Sequence, residues 1–570
     1  MPLRRLLPAL LILLCIFAQA AAPLPAHPGE TVSTATVVAD GILYTASYER
    51  DTRAGHLRAF ALAGNRQTRL WDAAELMPSP DERVIFTAQG DRLISFAPAA
   101  ALLLQPFLGA PTVEEATALI NAVRGRVGTS AAIPAGSDNR AELLGAISRS
   151  SPVLVGGSPL DAAAAQRDRV LYVGGEDGAL HAILAGRWSA TAGGYEVTGD
   201  CGRELWAFLP GSFLAELVNG VMETAGYRSP IHVDGTPAVA DVYIDGNGDG
   251  RREWRTVLVG TASVPARNRG AVFALDITEP YAPRLLWERA LAGLGRSHGA
   301  AIQSTSGWLD TPPRVFVTAG SSTRIDDLGN PAPERGRFGI TASALDLASG
   351  TLLWQFAAPY PEEAGGLADA PTAPAIMHGS AAGGIDAILF GDLAGRLWAL
   401  DPATGGAIGG NPAWQSPGGA HEPIGGGFAI RGRMALFGTG GVEGADPHGN
   451  YAVYAVELLP GGARLLWNHA LNPGERLWGT PALDRFGRAF FGVGDESAGG
   501  GRVLVVDTDG TAAGSVSLAG VPGGGVTLAP GALVTVSVSG LVEQIGALLL
   551  TGPDPTAVAG RVRLFSWRMR

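Results

Sequence analysis

The sequence predicts an all-β fold, a modified seven-bladed β-propeller with short inserted helices, and three observations lead to that prediction. The chain has 570 residues, of which 81 are glycine and 39 are proline, while charged residues make up only 17%. One strand-and-turn pattern recurs seven times. Gly-Asp, Asp-Gly and Thr-Gly pairs punctuate short apolar segments throughout. Many short strands joined by tight turns indicate an all-β protein, and the repeat favours a propeller.

Each copy of the repeat contains a β-rich run, a Gly-rich turn, a short strand ending in Ala-x-Asp or a similar motif, and a strand that often contains tryptophan. Apolar residues alternate with period two inside each copy, as in strands with one buried face. A four-stranded blade takes about 40 to 50 residues, and insertions account for wider spacings. The copies lie at 41–71, 170–183, 256–287, 343–354, 388–405, 451–467 and 489–511.

The recurrent tryptophans are interpreted as packing residues between blades rather than as ligand contacts, because a large ring at one place in each repeat fills the space between sheets. They are Trp71, Trp206, Trp287, Trp354 and Trp467. Two inserted helices are predicted: one after the capping box Thr112–Glu115, with an apolar stripe behind it, and one over about 212–221. The segment 560–570 is predicted to be a final strand, so that the chain ends meet in one blade.

The N-terminus predicts export from the cytoplasm. Arg4 and Arg5 precede a short apolar run, and Ala18-Gln19-Ala20 resembles a cleavage site. A membrane-spanning helix needs about 20 apolar residues, which neither this run nor any later segment supplies. We therefore divide the chain into a signal peptide, 1–22, and one propeller domain, 23–570, with no transmembrane segment.

Charge and cysteine content exclude several classes of protein. The formal net charge is −11, which argues against nucleic acid as a partner. Cys15 lies inside the apolar run and lacks the small residues that precede a lipid-modified cysteine. Cleavage would leave Cys201 as the single cysteine, so no intramolecular disulfide is expected. No GxSxG, Walker or paired-carboxylate constellation is strong enough to indicate catalysis, no HExxH spacing appears, and His181 and His232 are interpreted as hydrogen-bonded structural residues.

One Asp- and Gly-rich segment has the spacing of a calcium-binding loop. Oxygen ligands fall at alternate positions, a glycine (Gly250) stands where such a loop turns sharply, and hard oxygen ligands suit Ca²⁺. The candidate metal ligands are Asp245, Asn247, Asp249, Arg251 through its backbone carbonyl, and Glu253. Position 12 is Thr256 rather than the usual glutamate, and strands rather than helices flank the loop. The alternative is a solvated hairpin turn, and the complete ligand pattern favours the metal.

Several stretches, in this order, resemble the C-terminal propeller domain of the PilY family, which comprises type IV pilus tip-associated biogenesis factors and adhesins. They are RLWDAAELM (69–77), RAELLGAISRSSPVLVG (140–156), VLYVGGEDGALHAI (170–183), ELWAFLPGSFLAEL (204–217), HVDGTPAVADVYIDGNGDGRREWRTVLVG (232–260) and LFSWR (564–568). The calcium loop of the family maps onto the five candidate ligands, with Glu253 in place of the more usual aspartate.

The resemblance implies a non-enzymatic, calcium-binding protein of a Gram-negative bacterium, located in the periplasm, at the pilus tip or on the cell surface. Its expected partners are minor pilins and the pilus tip, and its expected roles are pilus assembly, control of retraction and twitching motility. Adhesion to a host or abiotic surface is also implied. Many family members carry a long N-terminal half, often with a von Willebrand factor A-like domain, and this sequence shows none.

Two other functions remain open from the sequence. The Ala-x-Asp…Gly…Trp signature is similar to the blades of quinoprotein dehydrogenases, which bind pyrroloquinoline quinone over an adjacent-cysteine disulfide that this chain cannot form. The second is a scaffold propeller of the periplasm or outer membrane. Most such scaffolds are lipoproteins, and the chain lacks a lipoprotein signal.

Overall fold

The computed structural model describes residues 29–546, except 64–65, 127–142, 224–225, 247, 292, 305–311, 326–336, 359–371, 380–385, 443–444, 530–531 and 540–541. Strands dominate this part of the chain. Blade 1 contains β1 (Glu30–Thr31), β2 (Val37–Ala39), β3 (Ile42–Glu49), β4 (Gly55–Ala63) and β5 (Arg66–Asp72). A seven-stranded sheet, here called the wide sheet, follows with β6 (Ile85–Gln89), β7 (Arg92–Ser95), β8 (Val153–Val155), β9 (Arg169–Gly174), β10 (Leu180–Ser189), β11 (Gly194–Glu196) and β12 (Glu204–Leu209). A small hairpin is formed by β13 (Val221–Glu223) and β14 (Gly226–Arg228).

The next five sheets are again blades in which consecutive strands pair antiparallel. Blade 2 contains β15 (Ala238–Ile244), β16 (Glu253–Val264), β17 (Arg269–Asp276) and β18 (Arg284–Ala290). Blade 3 contains β19 (Leu294–Gln303), β20 (Arg314–Ile325), β21 (Arg337–Asp346) and β22 (Leu352–Ala358). Blade 4 contains β23 (Ala375–Met377), β24 (Ala387–Gly391), β25 (Arg396–Leu400) and β26 (Trp414–Gln415). Blade 5 contains β27 (Ile424–Arg431), β28 (Met434–Thr439), β29 (Ala452–Leu459) and β30 (Gly462–Ala470).

Blade 6 contains β31 (Arg476–Leu477), β32 (Ala482–Leu483), β33 (Arg488–Asp495), β34 (Gly500–Asp507) and β35 (Ala512–Leu518). A three-stranded sheet of β36 (Pro522–Ala529), β37 (Ala532–Ser537) and β38 (Val542–Gly546) comes last. The helices are α1 (Ala101–Leu108) and α2 (Val113–Arg124), with 3-10 turns at Ala73–Leu76, Pro98–Ala100, Gly211–Asn219, Pro265–Arg267 and Gly419–His421.

The structure confirms an all-β propeller, but the prediction of seven blades is wrong, because six blades are found in the part of the chain that the structure describes. Six of the seven sequence copies lie in the six regular blades, whereas the copy at 170–183 supplies β9 and β10 of the wide sheet. There β12 pairs in parallel with β6, which joins a distant hairpin to the same sheet. The sequence repeat shows only strands that follow one another along the chain. It therefore did not reveal this parallel pairing, and the wide sheet was predicted as one more blade.

The tryptophans occupy equivalent places between sheets, as predicted. Each pairs with an alanine of the neighbouring strand at a break in the strand register, which turns the ring toward the following sheet. In blade 2 the indole N–H of Trp287 donates to the carbonyl of Leu347 at 2.7 Å, and Gly350 (φ +68°) lies against the ring. A Cβ at Gly350 would stand 2.4 Å from the indole. The alanine–tryptophan pairs are Ala59–Trp71, Ala182–Trp206, Ala274–Trp287, Ala344–Trp354 and Ala455–Trp467.

The first helix prediction is confirmed, and the second is corrected in type. Thr112 caps α2, because its hydroxyl accepts the backbone N–H of Glu115 at 3.1 Å. The segment predicted as a helix over 212–221 forms the 3-10 helix Gly211–Asn219. Within the described residues, no helix has the length and apolar composition needed to cross a membrane.

The ring closes between the first and the last described sheets. The backbone N–H of Val32 donates to the carbonyl of Val538 at 2.9 Å, and the hydroxyls of Thr36 and Thr527 are 3.2 Å apart. The predicted signal peptide, 1–22, and the predicted final strand, 560–570, lie outside the described residues, so these two predictions stay predictions.

Candidate metal-binding hairpin

The predicted calcium loop connects the first two strands of blade 2. Ile244 at the end of β15 pairs with Glu253 at the start of β16, so residues 245–252 form the turn of a hairpin. Gly248 (φ +76°) and Gly250 (φ +82°) adopt the left-handed backbone that a tight turn requires. Space is open around both glycines, and the turn is exposed to solvent.

The turn curls around the carboxylate of Asp245. Its Oδ1 accepts the backbone N–H of Gly248 at 2.8 Å and that of Asp249 at 3.2 Å, while Oδ2 accepts the N–H of Gly250 at 2.8 Å. The Asp249 carboxylate accepts the N–H of Arg251 at 2.8 Å. The structure therefore brings Asp245 and Asp249 into one turn. Asn247 lies outside the described residues.

The third carboxylate of the predicted site is directed elsewhere. Glu253 forms an ion pair with Arg255, two positions along β16, and Arg255 also lies 3.5 Å from the carboxylate of Asp276. Among the described residues, no three His, Cys, Asp or Glu side chains form a group that could hold a metal ion. The turn thus has the curled backbone that a calcium loop needs, but Glu253 would have to leave Arg255 to join Asp245 and Asp249.

A second polar group, in the wide sheet, was only partly visible in the sequence. Arg83 forms two hydrogen bonds of 2.8 Å with Glu204, and His181 Nδ1 lies 2.8 Å from the same carboxylate. His181 Nε2 lies 3.2 Å from Asp177. The interpretation of His181 as a hydrogen-bonded structural residue is therefore confirmed, whereas Arg83, 121 positions before Glu204, had no recognisable motif.

Burial and charge act in opposite directions on this group. Burial alone would lower the pKa of His181, but the carboxylates of Asp177 and Glu204 raise it to about 9. Burial would raise the pKa of Glu204, yet Arg83 and His181 hold it at about 2. The group is fully enclosed, since the side chains of His181 and Glu204 are 0% and 1% exposed. It has the features of a structural ion network rather than of a ligand site.

The fold and the hairpin define the chain as a β-propeller with an Asp-rich turn at the edge of one blade. No protein-family model matches it. It is 29% identical over 290 residues to the "Type IV pilus biogenesis factor PilY1 homolog" of Xylella fastidiosa (strain Temecula1), a match covering 47% of this chain and 21% of that protein. It is 26% identical over 285 residues to the "Type IV pilus biogenesis factor PilY1" of Pseudomonas aeruginosa (strain UCBPP-PA14), with the same coverage. The match spans about a fifth of the length of these relatives. These findings confirm the resemblance to PilY proteins.

Solved structures show only distant likeness. Quinohemoprotein alcohol dehydrogenase from Comamonas testosteroni has a TM-score of 0.47 and 12% identity, covering 89% of this chain and 70% of that one. Sqt1 from Saccharomyces cerevisiae has a TM-score of 0.40 and 11% identity, covering 66% and 79%. Neither likeness carries an argument about function.

Proposed function

We propose that this chain acts in type IV pilus biogenesis as a non-enzymatic propeller that binds minor pilins at or near the pilus tip. The observation that carries the proposal is the similarity to proteins named for that role in two genera of bacteria. Control of retraction, twitching motility and adhesion to surfaces are included in the proposal as consequences of pilus assembly. The proposal includes export from the cytoplasm, for which the predicted signal peptide, 1–22, is the support.

We further propose that the hairpin of blade 2 is a calcium site. Asp245, Asn247, Asp249 and Glu253 would supply side-chain oxygens, and Arg251 its backbone carbonyl, which is a donor set suited to Ca²⁺. Support comes from the turn already formed around Asp245. The bound cation would offset the mutual repulsion of three carboxylates. The affinity is expected in the extracellular range, about 10⁻⁴ to 10⁻³ M, because position 12 lacks a bidentate glutamate.

Calorimetric titration of the purified chain with CaCl₂ tests the calcium site. Wild-type protein should bind one Ca²⁺, and Asp245→Ala should bind none while remaining folded, because the turn lies outside the blade core. Asp401→Ala is a matched control, since the Asp401 carboxylate also accepts three hydrogen bonds within an exposed turn. Absence of binding at millimolar Ca²⁺ in the wild type, or equal binding by Asp245→Ala, would show that the loop is only a turn.

Deletion of the gene tests the pilus role separately from the metal. The deletion strain should show fewer surface pili and reduced twitching, and the wild-type gene should restore both. Normal piliation in a deletion strain that has no paralogue would contradict the proposal. A dye-reduction assay with added quinone cofactor tests the non-enzymatic part, and reduction above background would overturn it.

A further inference from the structure

A charged cluster lies at the opposite end of β15 and β16 from the hairpin, where three consecutive sheets meet. The backbone N–H of Ser151, just before β8 of the wide sheet, donates to Thr236 Oγ1 at 3.0 Å. The N–H of Thr236, just before β15 of blade 2, donates to the carbonyl of His298 in β19 of blade 3 at 3.2 Å. These bonds hold the three sheets together around the cluster.

The centre of the cluster is the buried carboxylate of Asp234. Arg296 Nε donates to Asp234 Oδ2 at 2.9 Å, and an Arg149 nitrogen lies 3.8 Å from the same oxygen. His232 Nδ1 is 3.9 Å from it, beyond hydrogen-bond distance, and His298 contacts Arg149. The Asp234 side chain is 3% exposed, whereas that of Arg296 is 30% exposed. Among the described residues, the carboxylate of Asp234 therefore lies between two guanidinium groups at a place that solvent reaches.

Two buried hydroxyl groups near Asp234 lack hydrogen-bond partners among the described residues. Thr261 and Ser263 lie two positions apart on β16, so their side chains point to the same face. They are 2% and 1% exposed, and neither Oγ atom has a partner. The backbone of His232 forms a bridge with Ser263, and a Cβ at Gly235 would come within 2.1 Å of Thr261 Oγ1. Buried polar atoms are rarely left unsatisfied, so a water molecule or the oxygen of a bound anion is expected to supply the missing partner.

The charges in the cluster indicate which species fits. Burial, and after it the positive charge of Arg149, hold the pKa of His298 well below its usual value. Guanidinium groups donate only, and their planar arrangement of N–H groups matches the oxygens of carboxylates and phosphates. Hydroxyl groups can donate to the same oxygens. A cation would be repelled, and an apolar ligand would leave the donors unsatisfied.

We propose that Arg149, Arg296 and His232, with the hydroxyls of Thr261 and Ser263, form a binding site for a small oxyanion. The ligand is defined by its chemistry as a group with two or more anionic oxygens, either a phosphate or a carboxylate. The site does not depend on the proposed pilus role or on calcium.

Calorimetric titrations of the full chain with inorganic phosphate and with citrate test the site and distinguish the two sources of oxyanion. Wild-type protein should bind at least one of them at millimolar concentration or below. Arg296→Gln should weaken that binding at least about tenfold, because it removes a charge-assisted hydrogen bond to the anion. Arg187→Gln is the matched control, since Arg187 is similarly exposed and pairs with carboxylates at another site. Its binding should equal that of the wild type.

Arg296→Gln also removes an ion-pair partner of Asp234, and this loss can disturb folding. A second variant is therefore tested. Thr261→Val keeps the shape and burial of the side chain but removes the hydroxyl, so it should fold and bind the anion more weakly. Circular dichroism and thermal melting check that each variant is folded. Absence of binding in the wild type for both anions, or unchanged binding in folded Arg296→Gln and Thr261→Val, would overturn the proposal.

Discussion

The buried ion network of the wide sheet predicts a loss of stability at alkaline pH. The pKa of His181 is about 9 in the folded chain and 6.5 in the unfolded chain. A histidine whose pKa is raised on folding adds stability that is fully present below pH 6.5 and disappears as the pH rises through 9. The difference corresponds to about 3 kcal/mol. Solvent does not screen these contacts, because the His181 side chain is 0% exposed.

The contact between His181 and Glu204 contributes to the pKa shifts of both groups, so the two shifts are not independent contributions to stability. The pH range from 6.5 to 9 is also well suited to the measurement, because the chain contains no lysine and only 9 histidines. Few other side chains therefore titrate between the two pKa values of His181. Across that pH range, the free energy of unfolding should fall by about 3 kcal/mol if His181 is the main group that titrates.

Urea unfolding followed by tryptophan fluorescence, at a series of pH values from 6 to 10, measures this change. The variant His181→Asn should show a much flatter dependence on pH. Direct titration of His181 by NMR provides the second measurement, which remains informative if the variant folds poorly. A pKa at or below 6.5 in the folded protein would refute the reasoning, and so would a stability that does not change between the two ends of the range.

Two further predictions concern packing and capping. Trp287→Ala should destabilise the protein by about 3 to 5 kcal/mol, because it empties the space between blades 2 and 3 and removes a hydrogen bond to Leu347. A loss of stability below about 1 kcal/mol in urea unfolding would contradict the packing role. Thr112→Ala should cost about 1 kcal/mol through the lost cap of α2, and Thr112→Ser should restore most of it. Equal stability of the two Thr112 variants would show that the cap does not contribute.

Local features were the part of the fold that the sequence predicted well. The capping box at Thr112 acts over a few residues, and the tryptophans recur at one place in four of the six blades and in the wide sheet, so a pattern in the sequence records them. The number of blades was predicted wrongly, because the parallel pairing of β12 with β6 joins segments separated by more than a hundred residues. No local pattern specifies such a pairing.

The same distinction applies to the candidate sites. Within the hairpin, the spacing of Asp245, Asp249 and Gly250 by itself determined a curled turn, because each hydrogen bond joins atoms within five residues. The pair of Glu253 with Arg255 is local as well, because the two residues lie two positions apart on one strand. Only the tertiary structure decided that Asp234 lies between Arg149 and Arg296. Those ion pairs depend on strand register and on the docking of one sheet against the next. Strand register and sheet docking both arise from packing across the whole ring, and a single stretch of sequence does not encode that packing.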